Sequence, residues 1–160
     1  MHTLSVFRPA HPKFYTIIND SIISNSYESS EQRSKKSREW TDETTMYVML
    51  QYRKWQMKDR KAVSLHSFHQ RCVESIFVDL GVSKTPTQIR DKVNNTRSSY
   101  HGILKQIQKG NFEWTQEKHL SLSKNVFNFM SVFFENKGSV SLDDIEKKIN
   151  EIVANQNSNN

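Results

Sequence analysis

Apolar residues recur at helical spacing in three successive stretches in the middle of the chain, each preceded by a residue that favours a helix start. In the first stretch, Thr41 precedes two acidic residues and an apolar run that reaches Leu50. A threonine hydroxyl accepts a hydrogen bond from a backbone N–H at the helix start, and acidic residues there interact favourably with the helix dipole. We therefore expect a first helix that begins after Thr41 and ends near Trp55.

The second stretch begins at a serine, either Ser64 or Ser67, and Gly81 follows its last apolar residue. Glycine commonly ends a helix because it adopts the left-handed conformation without strain. The predicted apolar stripe contains Leu65, Phe68, Cys72, Val73, Ile76, Phe77 and Leu80. Cys72 is therefore expected to lie in the core, and as the only cysteine it excludes an internal disulfide.

The third stretch, from Thr85 to Gln108, begins with Thr-Pro, an N-cap residue followed by a residue preorganised for the first helical turn. Three residues separate it from Gly81, so the second and third helices should cross as a tight helix-turn-helix. One side of this helix is apolar and should pack: Ile89, Val93, Thr96, Tyr100, Ile103, Leu104 and Ile107. The other side carries polar residues: Thr87, Arg90, Asn94, Arg97, Ser98, His101 and Lys105.

The polar side of the third helix has the composition of a DNA recognition helix. Arg and Asn make bidentate hydrogen bonds to guanine and adenine edges, and Ser, His and Lys reach phosphates. An ordinary solvated helix face has a similar pattern, so the helix alone leaves both interpretations open. Charge favours a nucleic-acid ligand without distinguishing DNA from RNA, because residues 33–110 contain 16 Lys and Arg against 7 Asp and Glu, whereas the whole chain carries a net charge of +6.

Catalytic and membrane-spanning motifs are absent from the sequence. It has no Gly-rich phosphate loop, no metal-ligand spacing and no nucleophile in a recognisable setting, and His66 and His69 are expected to be surface or packing residues. No stretch approaches the roughly 20 apolar residues that cross a bilayer, and the N-terminus lacks the pattern of a signal peptide. We expect a soluble, non-enzymatic protein without cofactor, metal ion or small-molecule substrate, in a reducing compartment.

The N-terminal segment, residues 1–38, contains short apolar runs followed by a linker rich in serine and charge. Its end carries a basic cluster of Arg33, Lys35, Lys36 and Arg38. Such a cluster can enter a DNA minor groove, serve as a nuclear import signal or simply keep a linker soluble. All three interpretations stay open at this point.

The C-terminal part, residues 119–154, has the pattern of two further helices, one capped by Thr115 and ending near Gly138 and one starting at Ser141. Residues 155–160 are predicted to be a disordered tail. The apolar residues of these helices either complete the core or form a partner or self-association surface: Val126, Phe127, Phe129, Met130, Val132, Phe133, Phe134, Ile145, Ile149 and Ile152.

Several motifs in order resemble the Myb/SANT-like domains, in particular the trihelix type. They are Trp40-Thr41-Asp42-Glu43, the Gly-x-x-x-Thr-Pro-x-Gln turn from Gly81 to Gln88, the third-helix pattern from Gln88 to Asn95 and from Tyr100 to Lys105, and Gly110-Asn111-Phe112-Glu113-Trp114-Thr115-Gln116-Glu117. The resemblance implies an all-α fold with a three-helix helix-turn-helix core over residues 39–118, additional C-terminal helices and a flexible N-terminal arm. It also implies that Trp40 and Trp114 lie in the core.

The same resemblance implies that the third helix lies in the DNA major groove. Arg90, Asn94 and Arg97 are then candidates for base contacts. The remaining DNA-binding candidates, mainly for the phosphate backbone, are Lys84, Gln88, Lys92, Ser98, His101 and Lys105. Gly102 lies inside this helix and costs about 1 kcal/mol relative to alanine, which makes the end of the helix less secure.

We therefore expect a nuclear protein that binds double-stranded DNA and regulates transcription or chromatin. A histone tail is disfavoured as the ligand, because Asp91 is the only acid among residues 85–109, which carry five Lys and Arg. The alternative is a non-catalytic DNA-binding or adaptor subunit of a larger DNA- or chromatin-modifying complex. In either case the C-terminal helices are candidates for forming a homodimer or a larger assembly.

Overall fold

The structure, a computed structural model, describes residues 39–114, 122–135 and 138–159. All regular secondary structure in these ranges is helical, which confirms the predicted all-α class. The five α-helices are α1 (Asp42–Lys54), α2 (Leu65–Leu80), α3 (Pro86–Gln108), α4 (Lys124–Met130) and α5 (Leu142–Ser158). Short π-helical segments extend α1 over Trp55–Asp59 and α4 over Ser131–Glu135.

The first three helices begin where the sequence predicts. The hydroxyls of Thr41, Ser64 and Thr85 each accept a hydrogen bond of 3.1 Å from the backbone N–H three residues later. Gly81 ends α2 in the left-handed conformation with φ 68°. The turn to α3 is short because this glycine reverses the chain direction at once and Thr85 immediately caps the next helix. Gly102 does not interrupt α3, which is helical on both sides of it.

Helix α1 is the centre of the fold. Its four consecutive residues from Tyr47 to Leu50 have 0% exposure, although neighbouring side chains on a helix point about 100° apart. Such burial requires other helices on several sides of α1, and α2, α3, α4 and α5 all pack against it. The Tyr47 hydroxyl donates a 2.5 Å hydrogen bond to Asp79 of α2, and burial together with this carboxylate raises the pKa of the phenol.

The C-terminal helices complete the same core. The side chains that close it are Val126, Phe127, Phe129, Met130, Ile145, Ile149 and Ile152, all of them buried. Polar contacts connect them to α1: Lys54 pairs with Glu146, and Ser123 donates a 2.9 Å hydrogen bond to Asp42. Of the two alternatives that the sequence left open, the structure therefore shows core completion. Most of the predicted interaction surface is buried, and Val132 is its one exposed apolar residue among the described positions.

Several predicted boundaries are wrong. Residues 115–121 lie outside the described residues, but Ser123 caps α4, so the helix that contains the phenylalanines begins at Lys124 rather than after Thr115. The predicted disordered tail is helical through Ser158.

Three residues assigned to apolar stripes are exposed, namely Leu65, Phe77 and Ile107. Each stands at the edge of its stripe or in a terminal turn, where the spacing of apolar residues does not show how far neighbouring helices reach.

Candidate nucleic-acid interface

The two sides of α3 differ in burial as predicted. All of the residues assigned to the polar side are exposed: Thr87, Arg90, Asn94, Arg97, Ser98, His101 and Lys105. On the apolar side, five residues are buried: Ile89, Val93, Thr96, Tyr100 and Ile103. Leu104 is half-buried. The candidate interface is thus a continuous polar strip along a helix whose other side is fixed in the core.

Arg90 and Asn94 lie one turn apart on the exposed side of α3. The guanidinium of Arg90 donates to one oxygen of Asp91 from Nε at 3.1 Å and from Nη2 at 3.0 Å, and both side chains are 53% exposed. An exposed pair of this kind contributes only about 0–1 kcal/mol. Arg90 can therefore exchange Asp91 for a base edge or a phosphate at little cost.

Arg97 has a different environment from Arg90. Its Nη1 donates a 3.2 Å hydrogen bond to the hydroxyl of Tyr52, and its guanidinium carbon lies 5.4 Å from the centre of the Tyr52 ring. The side chain therefore leans from α3 across α1. This orientation suits a contact at the edge of an interface, and it does not point straight outward as a base contact would.

Lys84 and Lys92 pack on an aromatic side chain. The ammonium groups lie 4.7 Å and 5.5 Å from the centre of the Trp40 ring, Lys84 is only 5% exposed and Lys92 is half-buried. Burial lowers the pKa of both amines. We name these three residues the tryptophan cluster and leave both lysines out of the interface proposed below, because their packing turns them away from the exposed side of α3.

Of the remaining candidates, some lie within the described residues and have partners in the protein, and others lie outside the described residues. The Gln88 side chain accepts a 2.9 Å hydrogen bond from the backbone N–H of Thr85, so it caps α3 while staying exposed. The basic cluster of Arg33, Lys35, Lys36 and Arg38 lies outside the described residues. Trp40 and Trp114 are half-buried against the core, with the Trp114 ring centre 5.2 Å from that of Phe127.

Cys72 and His69 are buried, and burial shifts the pKa of each towards its neutral form. Cys72 is buried as predicted, and burial raises the pKa of its thiol to about 12, so it stays protonated at neutral pH. His66 is exposed, whereas His69 is buried beside Phe68. Burial lowers the pKa of His69, and the charges of Arg90 and His66 lower it further. Within the described ranges, no group of His, Cys, Asp and Glu side chains is arranged to hold a metal ion.

Arg53 and Arg60 belong to no motif that predicts a DNA contact. They lie at the end of α1 and just beyond its π-helical extension, and they line the same cavity as Arg97 and His101. The sequence indicates them only through the excess of basic residues after Tyr52. The spacing of residues along the chain does not show that the end of α1 lies next to α3.

Comparison of the chain with protein-family models, with curated proteins and with solved structures finds no match. None of the helices in the described ranges is long and apolar enough to span a membrane. The features that bear on function are the exposed side of α3 and the charges around it.

Proposed function

We propose that this protein binds double-stranded DNA by placing the exposed side of α3 in the major groove, and that it acts in the nucleus as a regulator of transcription or chromatin. The observation that carries the proposal is the two-sided character of α3. Arg90 and Asn94, the side chains best suited to base edges, are exposed, while Ile89 and Val93 beside them are buried.

The size and support of α3 suit this role. The helix has 23 residues and spans about 35 Å at 1.5 Å per residue. The major groove is about 12 Å wide and admits one α-helix, provided that one side of the helix is free of the protein core. Because the buried side contacts the central helix α1, the polar strip is held rigidly, which reduces the entropy lost on binding.

The test compares two neighbouring asparagines. Asn94 lies on the polar strip, whereas Asn95 is exposed about 100° further round the helix. Asn94→Ala and Arg90→Ala should each weaken binding to a selected duplex by about 1–3 kcal/mol and flatten the sequence preference, and Asn95→Ala should leave both unchanged. Fluorescence anisotropy with the duplex and with a scrambled duplex measures the effect. Equal losses for Asn94→Ala and Asn95→Ala would contradict the proposed orientation.

Salt dependence tests the polyanion chemistry separately. With about four to six phosphate contacts, the logarithm of the affinity should fall with the logarithm of salt concentration at a slope of roughly −4 to −5. Binding that is absent at low salt, or that does not change with salt, would remove DNA as the ligand.

A second candidate is the adaptor role, in which the chain is a subunit of a larger DNA- or chromatin-modifying complex. The observation that favours it lies on α2, where Phe77 is 58% exposed and Val78 is 79% exposed. Two adjacent exposed apolar residues offer a contact that a partner protein could cover. A contact in such an assembly is therefore expected through α2 rather than through the buried residues of α4 and α5. Phe77→Ser should abolish any concentration-dependent increase in mass in sedimentation equilibrium, whereas Ser75→Ala should not.

A further inference from the structure

A cavity of about 270 Å³ lies where the end of α1, the middle of α3 and the π-helical extension of α4 meet. We name it the arginine pocket, because three arginines from different parts of the chain line it. Its lining residues with polar groups are Arg53, Gln56, Arg60, Arg97, Tyr100, His101 and Glu135. Ligand pockets for drug-sized molecules usually measure about 300–1,000 Å³, so this cavity suits a single small group better than a whole cofactor.

The ring of Phe134 lines the arginine pocket, and the ring of Tyr52 packs against it without lining the cavity itself. The rings of Tyr52 and Phe134 are nearly parallel, with an angle of 15° and centres 6.5 Å apart. Each ring supports one arginine: the guanidinium carbon of Arg97 lies 5.4 Å from the Tyr52 centre, and that of Arg53 lies 5.7 Å from the Phe134 centre. These cation–π contacts hold both guanidinium groups near their rings before any ligand arrives.

Hydrogen bonds fix the two arginines further without using all their donors. Arg53 donates from Nε to the backbone oxygen of Phe133 at 3.1 Å and from Nη1 to Gln56 at 3.4 Å. Arg97 donates from Nη1 to the hydroxyl of Tyr52 at 3.2 Å. A guanidinium has five N–H donors, so each side chain is oriented by the protein and keeps donors for a ligand.

The charge of the arginine pocket favours an anion. Three guanidinium groups face it, and Glu135 is the only acid among the described residues that line it. Guanidinium donors in a rigid fork match the oxygens of a phosphate. Phosphate is also the anion that the polar strip of α3 would meet, because Arg97 and His101 belong both to the strip and to the pocket.

We propose that the arginine pocket binds a backbone phosphate of the duplex whose major groove holds α3, an inference that rests on the proposed function. Arg97 follows Asn94 by three residues, which is slightly less than one helical turn of about 5.4 Å. A phosphate in the pocket therefore lies beside the bases that Asn94 would contact. Arg97 is then a phosphate contact, and the pocket fixes the position of α3 along the groove.

The main test compares two variants, each of which lacks one positive charge at one of two nearby positions. Arg60 lines the pocket and is exposed, whereas Lys58, two residues earlier, is exposed and does not line it. Arg60→Ala should lower duplex affinity about five- to tenfold and make the salt slope smaller in magnitude by about 0.9, which corresponds to one phosphate contact. Lys58→Ala should change neither. Equal effects of the two variants would overturn the proposal, because they would indicate only a diffuse attraction.

A second variant is expected to improve binding, which loss of folding cannot imitate. Glu135→Gln removes the carboxylate from the pocket and should raise duplex affinity about two- to fivefold at low salt. Glu74→Gln, the same change at an exposed position on α2 outside the pocket, is the control. Unchanged affinity in Glu135→Gln would contradict the proposed phosphate position.

Pyrophosphate separates this inference from the proposed function. Titration of the full chain should shift the NMR signals of the Arg53 and Arg97 Nε–H groups, and Arg60→Ala should weaken that titration. If these shifts occur but Arg60→Ala leaves duplex binding intact, the pocket binds a free phosphate and the duplex assignment is overturned. If duplex binding depends on Asn94 but pyrophosphate causes no shift and Arg60→Ala behaves like Lys58→Ala, the pocket proposal fails and the proposed function stands.

Discussion

The tryptophan cluster and the arginine pocket are both built from cations on aromatic rings beside α3, yet they differ in access. In the tryptophan cluster, Lys84 is 5% exposed and lies over Trp40, so the cation contributes to packing. In the arginine pocket, Arg53 and Arg97 lie over aromatic rings, line a cavity and keep donors that no group among the described residues uses. The first arrangement stabilises the fold, whereas the second prepares a site for an anion.

This difference shows the limit of counting charges. Lys84, Lys92 and Arg97 contribute equally to the basic character of residues 33–110, and all three were candidates for DNA contacts. Lysine has a long apolar stem that readily covers an aromatic ring, so a basic residue next to a tryptophan serves packing as easily as binding. Whether a cation belongs to the fold or to the interface depends on which elements surround its head group.

The largest effect on stability is expected at the tryptophan cluster. Trp40→Ala should lower the free energy of unfolding by about 3 kcal/mol, at the low end of the range for tryptophan because the ring is half-buried. Urea denaturation followed by circular dichroism measures this change. Duplex affinity of the folded protein should stay within about twofold, since Trp40 does not reach the polar strip. A large loss of affinity in the folded variant would place the cluster in the interface after all.

A smaller effect is expected when lysine is replaced by methionine at Lys105 or at Lys84. Lys105 is exposed on the polar strip, so Lys105→Met should weaken binding to all duplexes by about 1 kcal/mol and leave stability unchanged. Lys84→Met keeps the length of the side chain at a buried position and removes the ammonium group, with its charge and its hydrogen-bond donors. It should leave duplex affinity unchanged and lower the free energy of unfolding, because the contact of the ammonium with the Trp40 ring is lost. Fluorescence anisotropy measures the duplex affinity of both variants, and urea denaturation measures their stability. If Lys84→Met weakened duplex binding and Lys105→Met lowered stability, Lys84 would belong to the interface and Lys105 to the packing.

The sequence predicts the local features of this fold well. Thr41, Thr85 and Ser141 cap helices as expected, because capping depends on a hydroxyl and the backbone N–H three residues later. The exposed side of α3 was predicted for a similar reason, since helical spacing fixes which residues share a side. These features depend on residues within one or two turns of each other.

Contacts between distant helices were not predictable from the same patterns. The apolar residues of α4 and α5 matched both core completion and an exposed interaction surface, and only the enclosure of α1 decides between them. Likewise, Arg53 and Arg97 are 44 positions apart, and no spacing rule indicates that they line one cavity. The candidate site was therefore predicted along α3 and missed where it extends to α1.

Two substitutions of Thr96 test the packing of the buried side of α3. Its hydroxyl is buried, and among the described residues it has no hydrogen-bond partner. Thr96→Val keeps the shape of the side chain and removes the unsatisfied group, so it should raise the free energy of unfolding by about 0.5–1 kcal/mol. Duplex affinity should not change. Thr96→Ser, which keeps the hydroxyl and removes a methyl group, should instead be destabilising in the same urea experiment.

The smallest effect expected concerns the pH dependence of stability at His69, which lies between the core and the polar strip. Burial and the charge of Arg90 lower the pKa of this imidazole in the folded protein. As the pH falls through about 6.5, the unfolded chain takes up a proton before the folded one, so stability decreases until the folded pKa is reached. His69→Gln should remove this part of the loss between pH 7.5 and 5.5, and His66→Gln, at an exposed position, should keep most of it.

The same histidine reports on ligand binding by the polar strip. A phosphate at Arg90 offsets the positive charge that disfavours the imidazolium, so the pKa of His69 should rise when the duplex binds. NMR titration of the imidazole signals with and without duplex measures this shift. Arg90→Ala should raise the pKa in the absence of DNA and reduce the further change on DNA binding. An unaltered His69 titration in the DNA complex would mean that the duplex does not approach Arg90, and that the cations facing DNA lie elsewhere than on the start of α3.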